Sequence, residues 1–183
     1  MSPQIKLTYE DFLLFPEDGK RHEIIGGEHF MTPSPVTNHQ RISRRLTYFL
    51  DSHLQRTKAG EMFYAPMDVV LSDTDVLEPD IHFISDAKSS IIGEKNIQGA
   101  PDLVVEILSE GTRRMDALTK RKLYERSGIL EYWIVDPELE TVDVYRLDGE
   151  KYVRAAELSR EAGHVIETPL LPGLRIPLAE IFA

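Results

Sequence analysis

The segment Pro101-Asp102-Leu103-Val104-Val105-Glu106-Ile107-Leu108 decides how this chain folds. Its short run of β-branched and other apolar residues is typical of a strand that is buried on both faces of a sheet. Glu106 lies near the end of that run, where an unpaired charge is costly or is lost by titration. A buried acid of this kind is usually paired with another charged group, or it holds a metal ion. We therefore expect Glu106 to belong to a site.

A second acid stands at the mouth of another apolar run, in Glu78-Pro79-Asp80-Ile81-His82-Phe83-Ile84. Pro79 favours an extended approach, so Asp80 falls at the start of the predicted strand. If the two strands are neighbours, Asp80 and Glu106 can reach one ion. Two carboxylates suit a divalent cation such as Mg²⁺, which prefers oxygen ligands and keeps several waters. The alternative is that each acid pairs with a nearby arginine or caps a backbone group, and the pattern alone leaves both open.

Length and composition narrow the class of protein. The 183 residues fit one domain spanning 1–183 and allow a sizeable core. The net charge of −10 argues against strong, indiscriminate binding to nucleic acid, although it permits a local basic surface. The absence of cysteine excludes disulfides and thiolate metal sites and is compatible with the cytoplasmic location that we expect. No apolar stretch approaches the roughly 20 residues of a membrane helix, so we expect no membrane association.

Turn signals and periodicity predict the elements of the first half. Thr8-Tyr9-Glu10-Asp11 resembles a capping box that opens a short helix ending at Pro16. Gly26-Gly27 separates two short strands, which is a strong hairpin signal. Pro33-Ser34-Pro35 forms a loop before a long helix at 36–58. The apolar positions of that helix recur at intervals of three and four, as one buried face requires: Ile42, Leu46, Phe49, Leu50 and Leu54.

The second half is predicted to be mostly strand around one central helix. Strands are expected at 61–71, 80–84, around Glu106, and at 131–136, 142–147, 151–158, 164–168 and 174–176, with a polar loop at 86–99. The central helix is expected to begin at Thr112 and end at Gly128, with Leu118, Leu123 and Tyr124 facing inward. This order predicts the α/β (α+β) class: a mixed sheet flanked by helices, with an N-terminal helix and β-hairpin, rather than a repeating βαβ array.

Metal-dependent cleavage of a phosphate ester would need a cation facing the phosphate in addition to the metal. A lysine two residues after Glu106 would share its face of the strand, but that position is Leu108. The following helix offers Lys120, which lies between Asp116 and Tyr124 at intervals of four on one face. The alternative is an ordinary ion pair on a solvated helix, although Tyr124 on the same face indicates that this face is partly buried.

Two helices are locally basic within this acidic chain. Residues 113–126 and the long helix carry the following cations: Arg113, Arg114, Lys120, Arg121, Lys122 and Arg126 in the first, and Arg41, Arg44, Arg45 and Arg56 in the second. A solvated helix face explains any one of them. Taken together they fit a cleft that meets phosphate, so DNA is the expected partner.

Several of these motifs together resemble the Uma family of predicted bacterial endonucleases. The motifs are His22 to Glu28, Pro33-Ser34-Pro35 with His39, Pro79-Asp80, Gly99 to Ser109, the Asp116/Lys120/Tyr124 helix, and Glu131 to Pro137. They span nearly the whole chain in the family's order. The family is placed in the PD-(D/E)-x-K superfamily, so the resemblance implies a restriction-endonuclease-like fold. It also implies hydrolysis of phosphodiester bonds in DNA with Mg²⁺ or Mn²⁺ as cofactor.

The resemblance assigns roles to individual residues. Asp80 resembles the first metal-binding aspartate of the superfamily and Glu106 resembles its second acid, and the backbone carbonyl of Ile107 is often a further ligand. Glu23 resembles an acid that many such folds supply from an N-terminal element, and it would bind the metal through a water. Lys120 would replace the lysine that the strand lacks.

Two further residues are candidates for contact with the substrate. His39 lies near the start of the long helix, and Lys122 lies on another face of the helix that carries Lys120. Many superfamily nucleases act as homodimers, so the resemblance also implies a homodimer. The missing strand lysine and the net acidity leave an alternative open, namely a catalytically inactive nuclease fold that serves as a binding or assembly protein.

Overall fold

The structure is a computed structural model that describes residues 6–16, 18–32, 34–111 and 113–183. Its α-helices are α1 (Tyr9–Phe12), α2 (Thr37–Thr57), α3 (Arg121–Arg126) and α4 (Leu178–Ile181). Its strands are β1 (Arg21–Ile25), β2 (Glu28–Thr32), β3 (Gly60–Tyr64), β4 (Val69–Ser72), β5 (Asp75–Leu77), β6 (Ile81–Ser85), β7 (Ile97–Gln98), β8 (Leu103–Ile107), β9 (Glu131–Asp136), β10 (Thr141–Asp148), β11 (Lys151–Ser159), β12 (Val165–Ile166) and β13 (Ile176–Pro177). A 3-10 turn covers Asp86–Ile91, and a π-helical turn at Met115–Lys120 leads directly into α3. Within the described residues, every helix is too short or too polar to cross a membrane.

The strand that carries Glu106 lies in the middle of a six-stranded mixed sheet with the order β11-β10-β9-β8-β6-β3. β8 runs parallel to β9 and antiparallel to β6, and all of its residues are buried. Val105 packs into the core formed with α2, whereas Val104 packs into the core formed with α3. The prediction of a strand buried on both faces is confirmed. Since side chains alternate along a strand, Glu106 points to the same side as Val104.

The long helix α2 covers one face of this sheet. It runs over Thr37–Thr57, close to the predicted 36–58. Ile42, Leu46, Leu50 and Leu54 are buried against the sheet, and Phe49 packs at the margin of the same core. The spacing of apolar residues therefore predicted both the helix and its buried face correctly.

A second sheet with the order β2-β1-β5-β4-β7 packs on the other face. Ile25 and Leu77 of this sheet share a core with Val104 of β8. The predicted hairpin is confirmed: Gly26 and Gly27 have φ angles of 63° and 84°, the positive values that a two-residue turn between strands requires. β1 of this hairpin is an inner strand of the second sheet, and its Glu23 contacts Lys120 of the helical segment that follows β8.

The single strand predicted at 61–71 is wrong, because the chain changes sheets within it. β3 belongs to the main sheet and β4 to the second sheet, with Ala65 and Pro66 between them. Pro66 has no amide hydrogen to donate, so it interrupts a ladder that the apolar pattern alone would continue. The pattern also missed β5, and the predicted polar loop at 86–99 contains the 3-10 turn and β7.

The helical segments differ in detail from the prediction. The capping box of α1 is present, with the Thr8 hydroxyl accepting from the Asp11 amide, but the helix ends at Phe12 rather than at Pro16. The predicted start of the central helix, Thr112, lies outside the described residues, as does Pro33 of the predicted loop. Leu118 was expected to face inward and is 45% exposed. It lies midway between Asp116 and Lys120, which face inward, so the turn carries Leu118 to the opposite side.

Truncation of a buried residue on α2 tests this packing. We expect Leu50→Ala to lower the free energy of unfolding by about 2–5 kcal/mol, because Leu50 is completely buried and the change leaves a cavity. Tyr48→Ala, on the same helix at a position that is 68% exposed, should change it by no more than about 0.5 kcal/mol. Urea denaturation of the two variants measures both values. Equal losses in the two variants would contradict the assignment of the buried face.

Candidate active site

Two neighbouring strands bring the predicted acids to one end of the main sheet. β6 pairs with β8, and Ile81 lies opposite Val105. Continuing this antiparallel register by one residue places Asp80 opposite Glu106. The condition that the sequence left open, that the two strands be neighbours, is therefore met.

Asp80 is buried, and both of its carboxylate oxygens accept hydrogen bonds. Oδ1 accepts from Nη1 of Arg21 at 2.6 Å. Oδ2 accepts from Nε2 of His39 at 3.0 Å and from the backbone amide of Ile107 at 2.8 Å. Burial by itself would raise the pKa of Asp80, but the hydrogen bond from His39, the charges of His39 and Arg21, and the Ile107 amide lower that pKa to about 2. Asp80 is thus an anion at neutral pH.

Glu106 is buried beside a second set of donors. Its Oε1 accepts from the hydroxyl of Tyr124 at 2.7 Å and from Nζ of Lys120 at 3.1 Å. Burial raises the pKa of Glu106 most strongly, Lys120 opposes this, and the nearby Asp116, Asp80 and Glu23 carboxylates raise it further, to about 8. The two strand acids therefore differ in pKa: donors and cations outweigh burial at Asp80, whereas burial and the neighbouring carboxylates outweigh Lys120 at Glu106.

Lys120 stands at the centre of three carboxylates. Its Nζ lies 2.9 Å from Glu23 Oε1, 3.1 Å from Glu106 Oε1 and 3.4 Å from Asp116 Oδ1. Burial alone would lower the pKa of Lys120, but the three carboxylates raise it well above its ordinary value, so the ammonium stays charged. The predicted one-face arrangement of Asp116, Lys120 and Tyr124 is confirmed, and the face is buried rather than solvated.

The helix thus supplies the cation that β8 lacks. Leu108, at the position where a strand lysine would stand, is buried in the apolar core formed with α3. Lys120 reaches Glu106 from the π-helical turn that precedes α3. A π turn holds one residue more than an α turn, and such turns are frequent at functional sites.

An open cavity of about 240 Å³ lies over these groups. Its lining includes the predicted residues Glu23, His39, Asp80, Glu106 and Lys120, and also Arg21, Thr32, Ser34, Ser109, Glu110 and Asp116. Lys122 is exposed on α3 and is not among the lining residues. The structure therefore gathers five of the six predicted site residues at one cavity and leaves Lys122 apart.

Sequence reasoning missed Arg21, although a signal was present. Arg21 and Glu23 are two residues apart in β1, so they share one face of that strand. Once Glu23 is assigned to the site, the same alternation directs Arg21 toward it.

Residues 9–179 match the Uma2 family, which is described as "Putative restriction endonuclease". This chain belongs to the Uma2 family. The resemblance inferred from the sequence motifs is confirmed, and the match includes every residue of the candidate site.

Two individual proteins show how far this likeness extends. This chain is 26% identical over 156 residues to an uncharacterized protein, slr1290, of Synechocystis sp., covering 81% of this chain and 78% of that one. A crystal structure of a "putative nuclease belonging to DUF820 from Anabaena variabilis" has a TM-score of 0.80 at 22% identity, covering 96% of this chain and 97% of that chain. At this identity the second comparison establishes the fold, and the predicted nuclease-type mixed sheet is confirmed.

The donor chemistry of this Uma2-family site fits a divalent cation. Four buried carboxylates (Glu23, Asp80, Glu106 and Asp116) surround two permanent cations, Arg21 and Lys120. The four carboxylates outnumber the two cations, so a bound divalent ion would offset negative charge; burial first, and then the neighbouring carboxylates, raise the pKa of Glu106. Among the described residues, no three His, Asp or Glu side chains form a ready-made group that could hold a metal ion. Two carboxylates supplemented by waters suit Mg²⁺, which keeps much of its hydration shell.

The raised pKa of Glu106 predicts a pH-dependent effect on the stability of the protein. A pKa raised from 4.5 to about 8 in the folded state means that stability is lost as the pH rises through this range. We expect Glu106→Gln, which is neutral and similar in shape, to raise the melting temperature at pH 9 by several degrees, at roughly 2–4 °C per kcal/mol. At pH 5 the difference should nearly vanish, because wild-type Glu106 is then protonated.

Differential scanning calorimetry of both proteins between these pH values measures the effect. Glu161→Gln is the control, since Glu161 is exposed and lies outside the cavity. A Glu106→Gln protein that is destabilised most at high pH would contradict the raised pKa.

Proposed function

We propose that this protein is a metal-dependent DNA endonuclease that hydrolyses phosphodiester bonds. The observation that carries the proposal is the meeting of Asp80, Glu106 and Lys120 at one cavity, from two adjacent strands and the following helix. Membership of a family described as restriction endonucleases supports the same reaction class. The expected homodimer and cytoplasmic location stay predictions.

Asp80 and Glu106 would hold Mg²⁺ or Mn²⁺, with Glu23 acting through a water. When bound, such an ion stabilises charge that develops on a phosphate and lowers the pKa of a coordinated water. The protein orients both acids before any ligand arrives: the Ile107 amide and His39 fix Asp80, and Tyr124 fixes Glu106. Such fixed orientation avoids a reorganisation cost during the reaction.

Lys120 would supply the positive charge that faces the phosphate or orients the attacking water. Its ammonium is held by Glu23 and Asp116 as well as by Glu106, so it keeps its position without help from a substrate. A lysine two residues after Glu106 is therefore not required for the cation to reach Glu106. The same observation weakens one of the two grounds for the alternative of an inactive nuclease fold, namely the missing strand lysine; the net acidity is the other.

His39 and the surface near it support contact with a polyanion. His39 lines the cavity, and among the described residues its Nδ1 finds no hydrogen-bond partner. A buried nitrogen of this kind can bond to a water or to a phosphate oxygen. Arg41 and Arg44 are exposed on the same helix, outside the lining of the cavity, and give that helix a positive surface that a polyanion can contact.

Plasmid nicking tests this proposal directly. We expect the wild-type protein to convert supercoiled plasmid to the open-circular form with Mg²⁺ or Mn²⁺ and to be inactive with EDTA. Asp80→Ala, Glu106→Ala and Lys120→Met should each reduce the rate by on the order of 10²–10³-fold, the size expected when a charge-stabilising group is removed. Lys122→Met is the matched control, because Lys122 is exposed on the same helical segment and lies outside the cavity.

Folding controls keep the test interpretable. Lys120→Met leaves three buried carboxylates without their cation, so Lys120→Arg is prepared as a second variant and the melting temperatures of all variants are compared. Equal nicking by wild type, Asp80→Ala and Glu106→Ala would refute the site. Absence of nicking together with absence of Mn²⁺ binding by calorimetry would favour the inactive binding protein.

A further inference from the structure

Arg21 is held in the site differently from the other cation, Lys120. Within the described residues the Arg21 side chain makes its hydrogen bond through one nitrogen, Nη1, to Oδ1 of Asp80 at 2.6 Å. Its side chain is 21% exposed and lines the open cavity. Lys120, in contrast, is buried and touches three carboxylates. Of the two permanent cations, Arg21 is the one whose side chain has a single hydrogen-bond partner in the described part of the chain and also lies in the open cavity.

The two oxygens of Asp80 have separate functions. Oδ2 is fixed by His39 and by the Ile107 amide, whereas the partner of Oδ1 among the described residues is Arg21. Release of Arg21 would therefore expose Oδ1 without loosening the carboxylate, which two donors on the opposite oxygen continue to orient. Asp80 and Arg21 both line the cavity.

We propose that Arg21 competes with the divalent cation for Oδ1 of Asp80, and that the displaced guanidinium binds a phosphate group of DNA at the mouth of the cavity. This inference rests on the proposed function. It adds that Arg21 and the metal ion replace one another as the partner of Oδ1 of Asp80. We use the name exchange residue for Arg21 in this sense.

Charge repulsion and coordination geometry both oppose simultaneous binding of Arg21 and a metal ion to Oδ1 of Asp80. A cation such as Mg²⁺ binds oxygen at about 2.0–2.1 Å and demands a regular shell, so a guanidinium on the same oxygen would intrude on that shell and repel the ion. Burial strengthens this repulsion relative to water. The exchange residue cannot leave the site altogether, because it is anchored at the start of β1, and the cavity is the space available to its side chain.

Phosphate is the ligand that suits the released side chain. The guanidinium is planar, permanently charged and able to donate two parallel hydrogen bonds, which match phosphate oxygens. Glu23, two residues along the same strand face, already binds Lys120 through Oε1, and Glu78 is a further acid whose charge acts on Arg21. A DNA phosphate that approaches the metal would therefore meet a cation in position to bind it.

Replacement of Arg21 should have opposite effects on the two ligands. Arg21→Gln removes the competitor, so Mn²⁺ should bind more tightly, by on the order of fivefold to tenfold, the low end of the usual coupling between linked events. The same change removes the phosphate contact, so duplex DNA should bind more weakly, by about threefold or more, with a reduced salt dependence. An arginine that merely supports the fold would not produce this pair of opposite signs.

The experiment is isothermal titration calorimetry with Mn²⁺ on the wild type, Arg21→Gln, Arg21→Lys and Asp80→Asn, in the absence of DNA. Binding of a fluorescent duplex in Ca²⁺ is measured by polarisation on the same proteins. Arg21→Lys keeps the charge and should bind Mn²⁺ less tightly than Arg21→Gln. The control is Arg113→Gln, since Arg113 pairs with Asp136 away from the cavity, and it should leave Mn²⁺ binding unchanged.

The outcomes separate the two proposals. If the wild type binds Mn²⁺, Asp80→Asn abolishes binding and Arg21→Gln binds equally or more weakly, the exchange is refuted while the metal site stands. If the wild type fails to bind Mn²⁺, or Asp80→Asn binds as well as the wild type, both the metal site and the exchange are refuted. Tighter Mn²⁺ binding together with weaker DNA binding in Arg21→Gln supports the exchange.

Discussion

The buried ammonium of Lys120 and the carboxylates of Glu23, Glu106 and Asp116 form the interaction on which the rest of the site depends. These residues come from β1 in the second sheet, from β8 in the main sheet and from the helical turn between β8 and β9. A buried ion pair contributes little net stability by itself, but removal of one partner costs several kcal/mol because a charge is left uncompensated. The cluster therefore fixes the relative positions of three elements that lie far apart in the chain.

The same cluster explains why the two strand acids behave differently. Asp80 is surrounded by Arg21, His39 and a backbone amide, which lower its pKa, whereas Glu106 shares its cation with two other carboxylates, which together with burial raise its pKa. Such an excess of buried negative charge weakens the folded state. Under the proposed function, a bound cation would supply the missing positive charge, so stability and ligand binding would be opposed at Glu106.

The position of the lysine shows how a fold can bring a cation to a strand acid when the strand itself carries no lysine. Leu108 is buried in the apolar core beneath α3. The cation comes from the π-helical turn, whose Lys120 side chain is buried in the site. The ammonium still lies within hydrogen-bond distance of Glu106. Because electrostatic interactions act through space, the distance between the cation and the acid matters more than the element that carries the cation. A sequence motif with the lysine at one strand position therefore describes only one of the possible arrangements.

The amino-acid sequence specifies those features that depend on neighbouring residues. The apolar spacing of α2, the turn at Gly26-Gly27 and the face shared by Asp116 and Lys120 follow from local geometry, and each was predicted correctly. The choice of partners did not follow from the sequence: Arg21 meets Asp80 across 59 positions, and the segment predicted as one strand at 61–71 divides between two sheets. Periodicity reports which side of an element is buried, whereas strand register and loop closure decide which buried charges meet. Those contacts between distant residues exist only in the folded chain.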